Sequence, residues 1–137
     1  MADRVLIVST GLFAGVTLAV SLVAVPGITA STKRRESWQR VYDTGKLLVV
    51  PLMLTTLISG GLLYAKTPNA KILAATLIGG FPLPFTAIAM RSNINALQAS
   101  GNNDPKVDGL VNTWAKLHNV RTVAGLVSFG LAVFALI

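Results

Sequence analysis

Trp114, His118, Arg121 and Gly125 recur three or four residues apart, so on a helix they form a single stripe. Arg35, Trp38, Tyr42, Gly45 and Val49 make a second stripe of the same kind, and Thr86, Met90 and Asn93 a third. An imidazole takes or releases a proton, a guanidinium donates hydrogen bonds from a lasting positive charge, and flat aromatic rings supply walls. Together the stripes describe a pocket with aromatic, basic and amide side chains at one depth. There is one His and no Cys, and no carboxylate interrupts the apolar stretches. That inventory makes no closed metal site, no pair of His ligands for haem and no catalytic triad. An enzyme built from these parts needs a substrate that supplies most of its own reactivity.

The stretches that carry the stripes are greasy. Hydrophobic residues make up 53% of the chain and charged residues 12%, which leaves too little polar surface to face water on every side. The charges are also clustered between long uncharged runs, the pattern of an integral membrane protein. The expected fold is all-α, a single four-helix transmembrane domain over residues 1–137. Spans are expected at about 5–25, 47–65, 72–90 and 120–137.

Val5 to Val25 carries no charge and is long enough to cross a hydrocarbon core of about 30 Å. A signal peptide is a weaker reading, because this apolar run is too long and Arg4 is its lone basic lead-in. The second helix runs from the Ser31 and Thr32 hydroxyls through Tyr42 into the apolar stretch, with a bend expected at Pro51. Pro82 and Pro84 predict a kink in the third, facing the bundle or a cavity. A polar stretch from Ser92 to Asn103 leads to a fourth helix expected to start at Asp104 and Pro105. The second and fourth helices are too long for one crossing and should extend beyond the bilayer. Gly11 and Gly15, with Thr10, Thr17 and Ser21, predict close packing of the first span and hydroxyl bonds across helices. The glycine-rich faces make a homodimer plausible.

Orientation follows from the basic residues. Lys33, Arg34, Arg35, Arg40, Lys46, Arg91, Lys106, Lys116 and Arg121 fall in the first and third connections, against Arg4, Lys66 and Lys71 on the other side. The positive-inside rule then puts the extended helix ends in the cytosol and both termini on the non-cytosolic side. The formal net charge of +7 speaks for anionic headgroups rather than nucleic acid, since no soluble domain presents it.

Each stripe residue also has a plain structural reading. Trp38, Tyr42 and Trp114 fit interface anchors as well as pocket walls, Arg121 fits a side chain reaching lipid phosphates, and Asn93 and Asn95 fit helix-end caps. His118, one turn from Arg121 on a helix entering the membrane, favours function, because ionisable groups there are costly.

The segments Trp38-Gln-Arg-Val-Tyr42-Asp-Thr-Gly45, Met90-Arg-Ser-Asn93-Ile-Asn95-Ala-Leu97 and Trp114-Ala-Lys-Leu-His118-Asn-Val-Arg121 give the chain a wider likeness. It resembles the anthrone oxygenase family, small four-helix membrane proteins of polyketide pathways, many of whose members have no assigned activity. The resemblance implies oxidation of an anthrone to an anthraquinone with dioxygen and no metal or organic cofactor. On that reading His118 is the base and Arg121 the oxyanion partner. Asn93 adds a hydrogen bond to a substrate oxygen, and Trp38, Tyr42, Trp114, Arg35 and Met90 contact the substrate. The partners would be an aromatic polyketide, dioxygen and membrane lipid. The competing class is a non-catalytic membrane protein that binds lipid or quinone or serves as an assembly partner. A transporter fits less well, because no ionisable residue lies near the middle of a span.

Overall fold

The structure, a computed structural model, describes residues 1–137 and contains helices and no strand. The first rod comprises α1 (Ala2–Ala19), a π-helical turn (Val20–Ala24) and α2 (Val25–Ala30). The second is α3 (Arg34–Lys66), which continues through Pro51 without a break. The third is α4 (Ala70–Gly80) followed by α5 (Pro82–Ile88), with the join at the first of the two prolines. A short α6 (Arg91–Ala99) then leads to α7 (Val107–Leu136).

Four of these rods are long and apolar enough to cross a membrane, and their outward faces show which solvent they meet. Leu47, Ile58, Leu62, Leu77, Val123 and Phe134 are exposed, a cost in water that vanishes in lipid. The protein is an integral membrane bundle. At about 1.5 Å per residue, the 33 residues of α3 outrun a hydrocarbon core of about 30 Å.

Contact between the rods depends on small residues. Gly60 of α3 lies against the Thr76 side chain of α4, with no room for a Cβ. A Cβ on Gly79 would meet Ser128 Oγ at 2.6 Å, and one on Gly125 would meet Phe13 at 2.8 Å. Hydroxyl bonds cross between rods at Ser9 and Thr56 (2.9 Å), at Ser21 and Thr122 (2.8 Å), and from Ser128 Oγ to the Ala75 carbonyl (2.6 Å). The Thr10 and Thr17 hydroxyls instead bond back to carbonyls of their own helix, at Leu6 and Phe13. Gly15 has open space around it, so only Gly11 of that pair packs inside the bundle.

One end of the bundle is a knot of large side chains: Ile28, Trp38, Met90, Ile94, Leu97, Val107, Val111 and Trp114. Polar contacts tie the same end together. Arg34 pairs with Asp108 at 2.5 Å, joining the starts of α3 and α7, and the Glu36 amide donates to Asn102 Oδ1 at 3.0 Å. Two local features differ from expectation. The stretch after Met90 folds as α6, because Asn93, Ile94 and Leu97 share a helical face that is buried here. Helix α7 starts only at Val107, since the Asp104 carboxylate accepts from the Lys106 amide and closes a turn in place of a helix cap.

Candidate functional site

The α7 stripe sets out the site. The Trp114 ring stacks on the His118 imidazole at 5.1 Å and 10°, and Arg121 Cζ lies 5.6 Å from the centre of the same indole. His118 is 4% exposed, and both of its ring nitrogens have partners. Arg121 Nη2 lies 2.8 Å from Nδ1, and the Thr17 carbonyl oxygen 3.0 Å from Nε2. A guanidinium only donates and a carbonyl only accepts, so Nδ1 must be the acceptor and Nε2 must carry the hydrogen. The contacts therefore select the neutral Nε2–H tautomer and hold the ring by both edges.

The Thr17 carbonyl comes from the last turn of α1, just before the π-helical turn. A π turn shifts the backbone ladder by one residue, and here it precedes Pro26, whose nitrogen has no hydrogen to donate. The same carbonyl accepts from Thr122 Oγ1 at 3.2 Å, and so joins α1 to α7 twice. On the far side of the guanidinium, Arg121 Nη1 donates to Thr86 Oγ1 at 3.2 Å. Thr86 lies on α5, positioned by the proline join. Arg121 is thus gripped by its own helix and by α5, while its buried Nε has no partner.

A cavity of about 220 Å³ opens beside this pair. Its walls are Phe13, Val16 and Thr17 from α1, Tyr42, Gly45, Lys46, Val49 and Met53 from α3, Pro82 and Thr86 from α5, and Trp114, His118 and Arg121 from α7. Most of this lining is apolar, and it includes no Asp or Glu. Tyr42, Trp114, His118 and Arg121 come together here from sequence positions far apart.

The remaining sequence candidates lie behind the walls. Trp38 is fully buried, stacks on Tyr42 at 5.2 Å and meets Trp114 edge-on at 6.2 Å, so it backs two lining rings. Met90 is also fully buried, its sulfur 4.0 Å from Thr86 Oγ1. Asn93 Nδ2 donates to the Leu110 carbonyl at 3.0 Å, which fastens α6 to α7, and its Oδ1 has no partner. Arg35 donates from Nε to the Leu97 carbonyl at 3.2 Å and from Nη2 to the Gln98 carbonyl at 2.8 Å, capping the end of α6. Sequence reasoning missed Lys46 and the Thr17 carbonyl. The spacing of Lys46, one turn after Tyr42, was the available signal; a backbone carbonyl leaves none.

A protein-family model described as anthrone oxygenase matches residues 38–131. The chain belongs to the anthrone oxygenase family. No curated protein and no solved structure matches it. The family match begins at Trp38 and takes in the lining residues of α3, α5 and α7, whereas Phe13 and Thr17 of α1 lie outside it. Membership brings an oxygenase-like function in general, with a small molecule and oxygen as reactants.

Proposed function

We propose that the protein is a cofactor-independent oxygenase that converts an anthrone-like polycyclic aromatic to the corresponding quinone, using His118 as base and Arg121 as oxyanion partner. The observation that carries this reading is the bonded His118 and Arg121 pair in the wall of an apolar cavity. The sum of the reaction is anthrone plus dioxygen to anthraquinone plus water. Both methylene hydrogens leave as protons and end in the water.

The bound state must rearrange the pair. A keto oxygen offered to the guanidinium takes the Nη2 donor, and Nδ1 then has a free lone pair facing the substrate. His118 removes the first methylene proton, and Arg121 stabilises the enolate in a site shielded from water. The enolate passes one electron to dioxygen, and the resulting radical and superoxide join to form a carbon–oxygen bond. The peroxide anion takes back the proton from His118. Removal of the second carbon-bound proton then expels hydroxide as the oxygen–oxygen bond breaks and the new carbonyl forms. The imidazolium protonates that hydroxide to water. Tyr42 and Trp114 would flank the rings, with Trp38 behind them.

Asn93, Met90 and Arg35 would act on this site through α6 and Thr86 rather than by touching substrate. The distribution of basic residues supports placing both termini on the non-cytosolic side. An aromatic polyketide arriving from the interface suits a mostly apolar cavity whose lining includes the interfacial Lys46.

The test is dioxygen uptake by purified protein in nanodiscs with a panel of anthrones. His118→Ala should abolish enzyme-dependent uptake while the protein still accumulates, and unchanged uptake would remove His118 from the base role. Labelled dioxygen should leave one labelled atom in the quinone and one in water. The occupied ring nitrogens of His118 favour a second reading, a non-catalytic site for a quinone or lipid. That reading expects bound quinone and no oxygen consumption with any anthrone.

A further inference from the structure

Two cationic side chains line the cavity, Arg121 from α7 and Lys46 from α3, and no carboxylate lines it with them. Arg121 has its acceptors in His118 and Thr86. Lys46 is different. Its Nζ sits 4.9 Å from the centre of the Tyr42 ring, another lining residue, and its nearest carboxylate oxygen is Asp43 Oδ1 at 3.6 Å on an exposed part of α3. That separation is a loose ion pair rather than a hydrogen bond, so the ammonium has donors to spare. The next residue, Leu47, is 74% exposed and apolar, which puts Lys46 at the boundary where α3 leaves the polar region. The lining of α3 continues past it to Met53, so the ammonium stands along the cavity wall with apolar surface beyond it.

The Lys46 side chain is 49% exposed, so an uncharged guest displaces part of the water on its cavity side without offering an anionic acceptor in return. A guest with an anionic oxygen gives the ammonium a charge-assisted hydrogen bond at the edge of an apolar wall. Resting on the reading of the cavity as the anthrone site, we propose that its guest is a fused-ring aromatic bearing an anionic substituent, a carboxylate above all, which pairs with Lys46 Nζ. The keto oxygen of the same guest goes to Arg121. The cavity thereby distinguishes an acidic anthrone from its uncharged analogue and sets which end of the molecule enters first.

Anthraquinone-2-carboxylate and its methyl ester are suitable probes, because neither is turned over. Their affinities are measured on the full chain in phosphatidylcholine nanodiscs, where no anionic headgroup competes. The acid should bind the wild type about tenfold more tightly than the ester, the worth of one charge-assisted contact. Lys46→Gln should bring the two within about twofold, while Lys46→Arg keeps the preference. Equal affinities in the wild type, or a preference that survives Lys46→Gln, would overturn the proposal even if anthrones are oxidised. Binding of neither probe, together with no anthrone-dependent oxygen uptake, would overturn both it and the functional reading. Displacement of the acid by phosphatidylglycerol, with the ester left in place, would assign Lys46 to lipid and overturn it as well.

Discussion

The bond between Arg121 and His118 does different work before and after a substrate arrives. At rest, the imidazole lone pair on Nδ1 offsets the desolvation of a buried guanidinium, and the Thr17 carbonyl turns the ring to make that possible. Thr86 supplies the second anchor, and its role can be separated from folding. Thr86→Val keeps the shape of the side chain and removes the acceptor for Nη1. It should lower kcat by about ten- to a hundredfold with little change in KM, the usual range for losing a hydrogen bond to a charged group. An unchanged kcat would show that the grip of α7 alone suffices. Arg121→Lys should cost more, about a hundred- to a thousandfold, because a flexible ammonium cannot serve His118, Thr86 and an oxyanion at once. The α7 stripe was legible in the sequence because helical spacing dictates which side chains share a face. The partners of its polar atoms were not, since the Thr17 carbonyl is backbone and no residue type announces which carbonyl a side chain on another helix will meet.

At the scale of elements, glycines decide where helices touch and where a cavity is left. Gly60 and Gly61 are neighbours on α3 with opposite surroundings: a Cβ at Gly60 collides with Thr76, whereas one at Gly61 meets nothing within 4 Å. Gly61→Leu should therefore leave the melting temperature in detergent within a few degrees of wild type. Gly60→Leu should lower it sharply or prevent accumulation, because α3 and α4 must part to admit the side chain. Gly45 is a third case. It lines the cavity, and nothing lies within 4 Å of its Cβ position. Gly45→Leu should fill the cavity and raise helix propensity, giving a protein at least as stable as wild type that neither binds anthraquinone-2-carboxylate nor consumes oxygen. Binding retained in that variant would mean that guests sit elsewhere. The long helices and the proline join were readable from apolar run length and from Pro82 and Pro84. The helix α6 was not, because its polar composition hid a buried face of Asn93, Ile94 and Leu97 that exists only against α7.

For the whole molecule, the bilayer is the solvent, and the side it presents to the cytosol decides where the cavity receives its guest. The knot around Trp38 and Trp114, the helix α6 and the ion pair of Arg34 with Asp108 gather at one end of the bundle, while the turn between α3 and α4 lies at the other. Most basic residues belong to the first end, so insertion should hold it in the cytosol. The chain has no cysteine, which makes single introduced thiols clean reporters. Asn103→Cys lies in the connection before α7 and Thr67→Cys in the turn after α3, and both positions are exposed. In intact cells an impermeant maleimide added outside should label position 67 and spare position 103, and lysis should make both reactive. Labelling of position 103 from outside would invert the bundle, and with it the compartment from which an acidic aromatic could reach Lys46.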